Sequence, residues 1–384
     1  MQNDHFLLNP EVIFLNHGSF GACPKPVFEV YQNWQRELER QPVEFLGRRI
    51  TELLAAARAR LAAYLGVESD EVVYFSNPTT ALNMVARSLE LHPGDEILAS
   101  DHEYGALDRT WFFISKKTGT YYIRQPIPLP ITSRGEVIEA LWQGVSERTR
   151  VIFLSHITSP TAIVFPIEDI CHRARAQGIL TIIDGAHGPG QFQLDLAKLG
   201  ADFYAGACHK WLCAPKGAGF LFARRSVQPL LAPLIVSWGY ESENPGPSQF
   251  IDHHEWQGTR DFSAFLSVPA AIEFQAQHDW PGVRRSCHAL ASQIRTQINA
   301  LTGLPAICPD SPEWYGQMFA ALLPTGIDTN DLKARLYDEY HIEVPLHRWN
   351  DYPMIRVSIQ AYNDPMDTDT LHTALSELLD LRPI

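Results

Sequence analysis

Residues 181–223 read TIIDGAHGPGQFQLDLAKLGADFYAGACHKWLCAPKGAGFLFA. The apolar lead-in Ile179-Leu180-Thr181-Ile182-Ile183 stops abruptly at Asp184 and a Gly-rich turn. A short apolar run bounded by turn residues predicts a buried parallel strand that delivers a carboxylate at its C-terminal end. Open α/β sheets place their ligands at that end. A second apolar run ends in His209-Lys210, and a Pro/Gly-rich turn leads to a further strand over 219–223. Asp184 and Lys210 thus stand at two strand ends.

A desolvated lysine can form a Schiff base with an aldehyde cofactor. A buried aspartate can hold the protonated ring nitrogen of pyridoxal 5′-phosphate (PLP), which makes that ring an electron sink. The competing reading is a salt-bridged pair closing a turn. The Asp-Gly-Ala-His and His-Lys-Trp contexts favour the cofactor, because the rest of the chain supplies the other parts such a site needs.

Upstream, Val72-Val73-Tyr74-Phe75 reads as a strand, and Ser76-Asn77-Pro78-Thr79-Thr80 leads into a helix over 81–89. Strand, polar turn and helix N-terminus make a phosphate cradle, and a plain Thr N-cap is the alternative. The next strand, 96–100, ends at Asp101-His102-Glu103-Tyr104, where Tyr104 is preferred to His102 for lying over a cofactor ring. Strands over 120–124 and 151–157 and helices over 136–147 and 166–177 continue the alternation. That pattern implies a mostly parallel sheet in one large domain.

Nearer the N-terminus, a strand over 12–15 ends in Asn16-His17-Gly18-Ser19, and helices are expected over 27–39 and 45–65. Beyond residue 223 comes a long loop, then helices over 264–278, 282–301 and 329–339 and strands over 318–323 and 355–359. These predict a smaller α+β unit, with 345–353 as its substrate-facing loop. The expected division is an N-terminal segment, 1–24, at the substrate entrance, a large domain, 25–262, and a small domain, 263–384.

At 384 residues the chain is long enough for two domains, and 45% apolar with 20% charged residues are ordinary globular values. A formal net charge of −13 argues against nucleic acid or an anionic membrane as partner. The six cysteines have no metal or disulfide spacing and suit a reducing cytoplasm. No apolar run approaches the roughly 20 residues of a membrane span. The N-terminus lacks a basic start followed by an apolar segment, so no signal peptide is expected. Asp252-His253-His254-Glu255 has no spaced partners, so no metal is expected.

Matching stretches run almost end to end: FLNHGSFGACP, SNPTTALNMV, SDHEYGALDRTW, IIDGAHGPGQ, CHKWLCAPKGAGFL, EWQGTRDFSAFLSVPAAI and IEVPLHRWNDYPMIRVSIQAYN. Together they resemble class V aminotransferases, the fold type I PLP enzymes, in the isopenicillin N epimerase-like branch. The resemblance implies a large domain with a seven-stranded, mostly parallel sheet flanked by helices. It assigns Lys210 to the Schiff base and Asp184 to the ring nitrogen. It puts His187 and Ser159 on the phenolate side of the ring, although much of the family has Asn at the latter position.

By the same resemblance, Thr79, Thr80 and His209 bind phosphate, joined by Gly258 and Thr259 from the partner of a homodimer. Where relatives often carry a phosphate-binding Ser, this chain has Ala207-Cys208. Tyr104 covers the ring, Arg356 clamps the substrate α-carboxylate, and Asn16 and His17 line the entrance.

Lys210 would then remove the Cα proton of a bound amino acid. Epimerisation needs a second acid/base, Tyr104 or His102. β-Elimination by a C–S lyase needs only a leaving group on Cβ, and transamination needs a keto acid. A persulfide-forming desulfurase needs a cysteine shortly before Arg356, and no cysteine follows Cys308. Epimerase-like chemistry ranks first, C–S lyase second and aminotransferase third; a PLP-binding protein without catalysis is the reading from outside enzymology.

Overall fold

A computed structural model describes residues 3–380, so the ends of the expected segments 1–24 and 263–384 lie outside the described residues. Seven strands form the central sheet: β2 (Val72–Phe75), β3 (Glu96–Ser100), β4 (Tyr121–Gln125), β5 (Thr149–Ser155), β6 (Leu180–Gly185), β7 (Phe203–Ala207) and β8 (Gly219–Ala223). Their order is β2-β8-β7-β6-β5-β3-β4. All pairings are parallel except those of β8, which runs against both its neighbours.

The strands are near-continuously apolar because both faces are covered. Val72, Tyr74, Leu98, Ile152, Leu154, Ile183 and Tyr204 belong to one packed cluster. The alternate positions Val73, Phe75, Ile97, Val151, Phe153, Ile182 and Phe203 belong to a second. That is the period-two alternation of a strand. Helices such as Pro78–Ser88, Gly105–Thr118 and Ile167–Ala176 link the strands and cover them.

A three-stranded antiparallel sheet follows, β11-β12-β9, from β9 (Met318–Leu322), β11 (Leu346–Trp349) and β12 (Tyr352–Ser358). Helices Trp280–Thr302 and Pro365–Leu378 accompany it. The short N-terminal strand β1 (Ile13–Phe14) pairs in parallel with β10 (Ile342–Glu343), which ties the start of the chain to this unit.

Four local expectations need correction. The segment 345–353 is not a loop. It forms the β11–β12 hairpin, whose two-residue turn, Asn350-Asp351, has φ of 44° and 68°. The helix expected over 45–65 begins as a π-turn, Phe45–Arg49, before Ile50–Leu65. The helix expected over 264–278 divides at Ser267 into Ser263–Leu266 and Val268–Gln277. The helix Gly105–Thr118 was not expected from sequence.

Candidate active site

The C-terminal ends of β2, β3, β5, β6 and β7 converge on a cavity of about 650 Å³. Asp184, at the end of β6, is 5% exposed, and its Oδ1 accepts from the Ala186 N–H at 3.0 Å. Burial raises its affinity for a proton, and the nearby Lys210 opposes that shift. Lys210 follows β7, where the Cys208 and His209 N–H groups donate to the Ala218 carbonyl at 3.1 and 3.2 Å and fix the turn. Desolvation, aided by Arg356, pulls the Lys210 ammonium down to about 8. An amine in that range is available as a nucleophile near neutral pH.

His187 couples to this lysine. Its Nε2 lies 3.4 Å from Lys210 Nζ, and its Nδ1 accepts from the Trp211 indole N–H at 3.1 Å. Indole nitrogen only donates, so the proton of the neutral ring resides on Nε2, facing Lys210. Burial, then the Lys210 charge, keeps this imidazole neutral.

Ser76, Asn77, Thr79, Thr80, His209 and Gly217, from the turns that follow β2 and β7, line part of this cavity. Asn77, not a threonine, caps the helix, and its side chain accepts from the Thr80 N–H at 2.9 Å. His209 Nδ1 bonds the Ala218 carbonyl at 2.9 Å. Burial lowers its pKa to about 4. With Nδ1–H committed, His209 can donate to an anion only as imidazolium, a form that a phosphate dianion would favour.

Arg356, on β12 and 8% exposed, lines the same cavity. Nη1 donates to the Ser159 carbonyl and hydroxyl at 2.6 and 3.3 Å, and Nη2 to the Ser19 hydroxyl at 3.2 Å. Nε is buried with no partner, and no carboxylate lies within 4.0 Å among the described residues. Burial lowers this guanidinium to about 10. A buried cation without an anion is the state of a binding site awaiting one.

Lys210, Asp184, His187, Tyr104, Thr79, Thr80, Ser159, His209 and Arg356 all line this one cavity. Gly258 and Thr259 do not line it. Neither do Asn16 and His17, contrary to the expectation that they form the entrance. Asn16 donates to Glu343 at 2.9 Å. His17 is fully buried and bonds Tyr362, the Lys210 carbonyl and Gln360. Their neighbours Gly18, Ser19 and Phe20 line the cavity instead. Gly21 has φ of 69°, and a Cβ there would sit 2.0 Å from the His209 carbonyl, so only glycine lets this segment lie against the lysine loop. His102, weighed as an acid/base, is fully buried and bonds Thr161 and the Ile127 carbonyl at 2.7 and 2.8 Å, so it serves the fold.

Sequence reasoning passed over Ser155 and Glu103. Ser155 lines the cavity and pairs in register with Asp184. Its N–H and hydroxyl donate to Glu103 at 2.8 and 2.6 Å, and Ser100 bonds the other carboxyl oxygen at 2.5 Å. The detectable signal was a serine closing the strand beside that of Asp184. Burial, with a smaller push from Asp184, raises Glu103 from an ordinary 4.5 to about 8.

Unfolded chain ionises this carboxyl near 4.5, while the folded chain holds its proton to about 8. The group's contribution is therefore complete below the first value and is lost as pH rises through the second. Glu103→Gln is expected to flatten the decline of stability across that window. Urea unfolding of the cofactor-free protein at several pH values measures it, and an unchanged slope counts against the buried neutral carboxyl.

Residues 22–371 match the family model for class V aminotransferases. An isopenicillin N epimerase of Amycolatopsis lactamdurans is 39% identical, covering 97% of this chain and 96% of that protein. A probable chloroplastic L-cysteine desulfhydrase of Arabidopsis thaliana is 27% identical over 97% of this chain and 84% of its own length. In fold, the crystal structure of an Escherichia coli cysteine desulfurase superposes with a TM-score of 0.82, at 23% identity, over 98% of this chain and 97% of that one. The chain belongs to the class V aminotransferase family and is a PLP-dependent enzyme of fold type I.

Proposed function

We propose that the enzyme inverts the configuration at Cα of an amino acid, in the manner of the isopenicillin N epimerases it resembles. The observation that carries an amino-acid substrate is Arg356, buried, charged and without an anionic partner in the cavity that Lys210, Thr79 and Thr80 also line. A guanidinium fork suits an α-carboxylate.

The residues present fit PLP: hydroxyl and imidazole groups suited to an anion, a carboxyl at a strand terminus, and a lysine amine near neutrality. When bound, the cofactor supplies an aldehyde for the amine and a ring that accepts the electron pair of the Cα–H bond. Thr79, Thr80 and His209 would hold its phosphate. Asp184 would hold the ring nitrogen in its protonated form, and His187 would offer Nε2–H as a donor to the ring's oxygen. Ser159, whose carbonyl and hydroxyl both engage Arg356, acts by aiming that guanidinium. Lys210 takes the Cα proton.

Tyr104 returns a proton from the other side. It follows β3, whereas Lys210 follows β7, and β6 and β5 lie between those strands. C–S lyase chemistry is the second reading, supported by the desulfhydrase relatives. A persulfide-forming desulfurase finds no support, because no cysteine lines the cavity and the β11–β12 hairpin carries none.

We also propose a homodimer in which Gly258 and Thr259 complete the neighbour's phosphate end. Gly258 has φ of 101° and open space around a notional Cβ, which leaves its backbone free to approach another molecule. The large and small domains meet near residue 262 in this reading. Among the described residues no helix is long and apolar enough to cross a membrane, and the free cysteines suit a reducing cytoplasm.

Incubating the PLP-loaded enzyme with L-amino acids in deuterated water separates the reactions. Deuterium at Cα together with a growing D-isomer is expected. Pyruvate and sulfide from cysteine would make it a lyase, and a keto acid formed only with a second keto acid would make it an aminotransferase.

A further inference from the structure

Trp211 does not line the active-site cavity, yet it bonds the imidazole that faces the reactive amine. We propose that Trp211 is a positioning residue: its indole N–H fixes the tautomer of His187 and, through that ring, keeps the Lys210 side chain a neutral, reactive amine. The inference rests on the reading above only in taking Lys210 as the reacting group.

The indole is a fixed donor because its surroundings leave it no other place. Trp211 is fully buried, and its carbonyl accepts from the Gln275 side-chain N–H at 2.8 Å. That bond ties the residue to the helix Val268–Gln277. The His17 ring packs against the indole with centroids 4.9 Å apart. Nε1 then stands 3.1 Å from His187 Nδ1. The imidazole is held as well, since the His187 carbonyl accepts from Gln191 Nε2 at 3.2 Å. Both rings are buried, so water cannot replace the indole as donor.

A neutral imidazole has one N–H, and the partner of one nitrogen decides what the other presents. With Nδ1 accepting from the indole, the proton sits on Nε2, 3.4 Å from Lys210 Nζ. Across that contact a neutral amine can accept, whereas an ammonium would set two N–H groups against each other. The opposite tautomer would offer the ammonium a lone pair and stabilise it. The remaining groups around these two side chains do not make this choice. Desolvation and Arg356, from β12, disfavour the ammonium, and Asp184, from β6, favours it. Burial, then Lys210, Arg356, His17 and His209, all oppose a second proton on His187. The ring is therefore confined to two neutral forms, and Trp211 selects between them.

The test treats cofactor-free protein with formaldehyde and cyanoborohydride, which alkylate free amines, and follows Lys210 by peptide mass spectrometry across pH. In the wild type, labelling should rise through about 8. Trp211→Phe keeps an aromatic ring and removes the donor. Its midpoint should move up by about one pH unit, so labelling at pH 7 falls about tenfold. Looser packing alone would admit water and raise the midpoint too, so the same substitution is also made alongside His187→Leu. No further shift is expected there, because the imidazole that transmits the effect is gone. An unmoved midpoint in Trp211→Phe, or an equal shift with and without His187, would overturn the positioning role and leave Lys210 as the reacting group. A Lys210 that takes no label at any pH would overturn both. Should Trp211→Phe fail to fold, long-range proton–nitrogen NMR of the histidine-labelled wild type decides. The signal missing from His187→Gln should show a ring protonated at Nε2, and a proton on Nδ1 would overturn the proposal.

Discussion

Lys210→Ala is expected to abolish turnover, lowering kcat by a factor on the order of 10³ or more, because one side chain supplies both the covalent attachment and the proton transfer. The variant should still bind PLP through Thr79, Thr80 and Asp184, but the visible absorbance that depends on the amine should disappear. Folding should not suffer. Burial already pulls this ammonium down to about 8, so removing it relieves a desolvated charge. In the cofactor-free wild type, an aldehyde reagent should label Lys210 increasingly as pH rises through that value, since only the free amine reacts. Full turnover by the alanine variant, or labelling that begins only near the ordinary lysine value, would remove Lys210 from its role.

Arg356→Met should separate function from stability. Loss of a paired, charge-assisted contact to a carboxylate costs roughly 3–4 kcal/mol when two hydrogen bonds go together, so kcat/KM for any α-amino acid should fall about 10²–10³-fold. The melting temperature should hold or rise. In the free protein the guanidinium is 8% exposed, its Nε has no partner, and its other contacts are to Ser159 and Ser19, not to an anion. Replacing a buried charge of that kind by an apolar side chain of similar length is commonly neutral or stabilising. Kinetics and thermal melts on the same preparation decide the matter. A destabilised variant with unaltered kcat/KM would make Arg356 a structural residue.

Asp184 and the His209-Lys210 pair were legible in the sequence because each closes an apolar run too short for a helix, with glycine close by. The placement of Thr79 and Thr80 on the cavity was legible for a similar reason: a polar turn between a strand and a helix leaves few places for its side chains. Asn16 and His17 were placed at the entrance by family resemblance, which carries a position over but not the contacts its side chain makes in this chain. Here their polarity is spent internally, with His17 holding the carbonyl of Lys210 and Asn16 holding Glu343. No local pattern reveals a partner that far along the chain.

The β11–β12 hairpin had a usable signal that went unread. Asn350-Asp351 is a dipeptide that tolerates positive φ at both positions, and the prolines at 345 and 353 concealed it. Ser155 and Glu103 were harder to see. A single serine at a strand end is unremarkable until its register beside Asp184 is known.

The pairing of β1 with β10 bears on how the enzyme comes into being. Asn16 and Glu343, joined by a hydrogen bond, are 327 residues apart in the chain. At ribosomal speeds of about 5–20 residues per second, the wall carrying Ser19 waits roughly 15–65 s for the strand that seats it. The central sheet, with Thr79, Thr80, Asp184 and Lys210 at its strand ends, is thus synthesised long before the wall of Ser19 and Arg356 is seated, so the substrate side of the chamber is among the last parts of the enzyme to take shape.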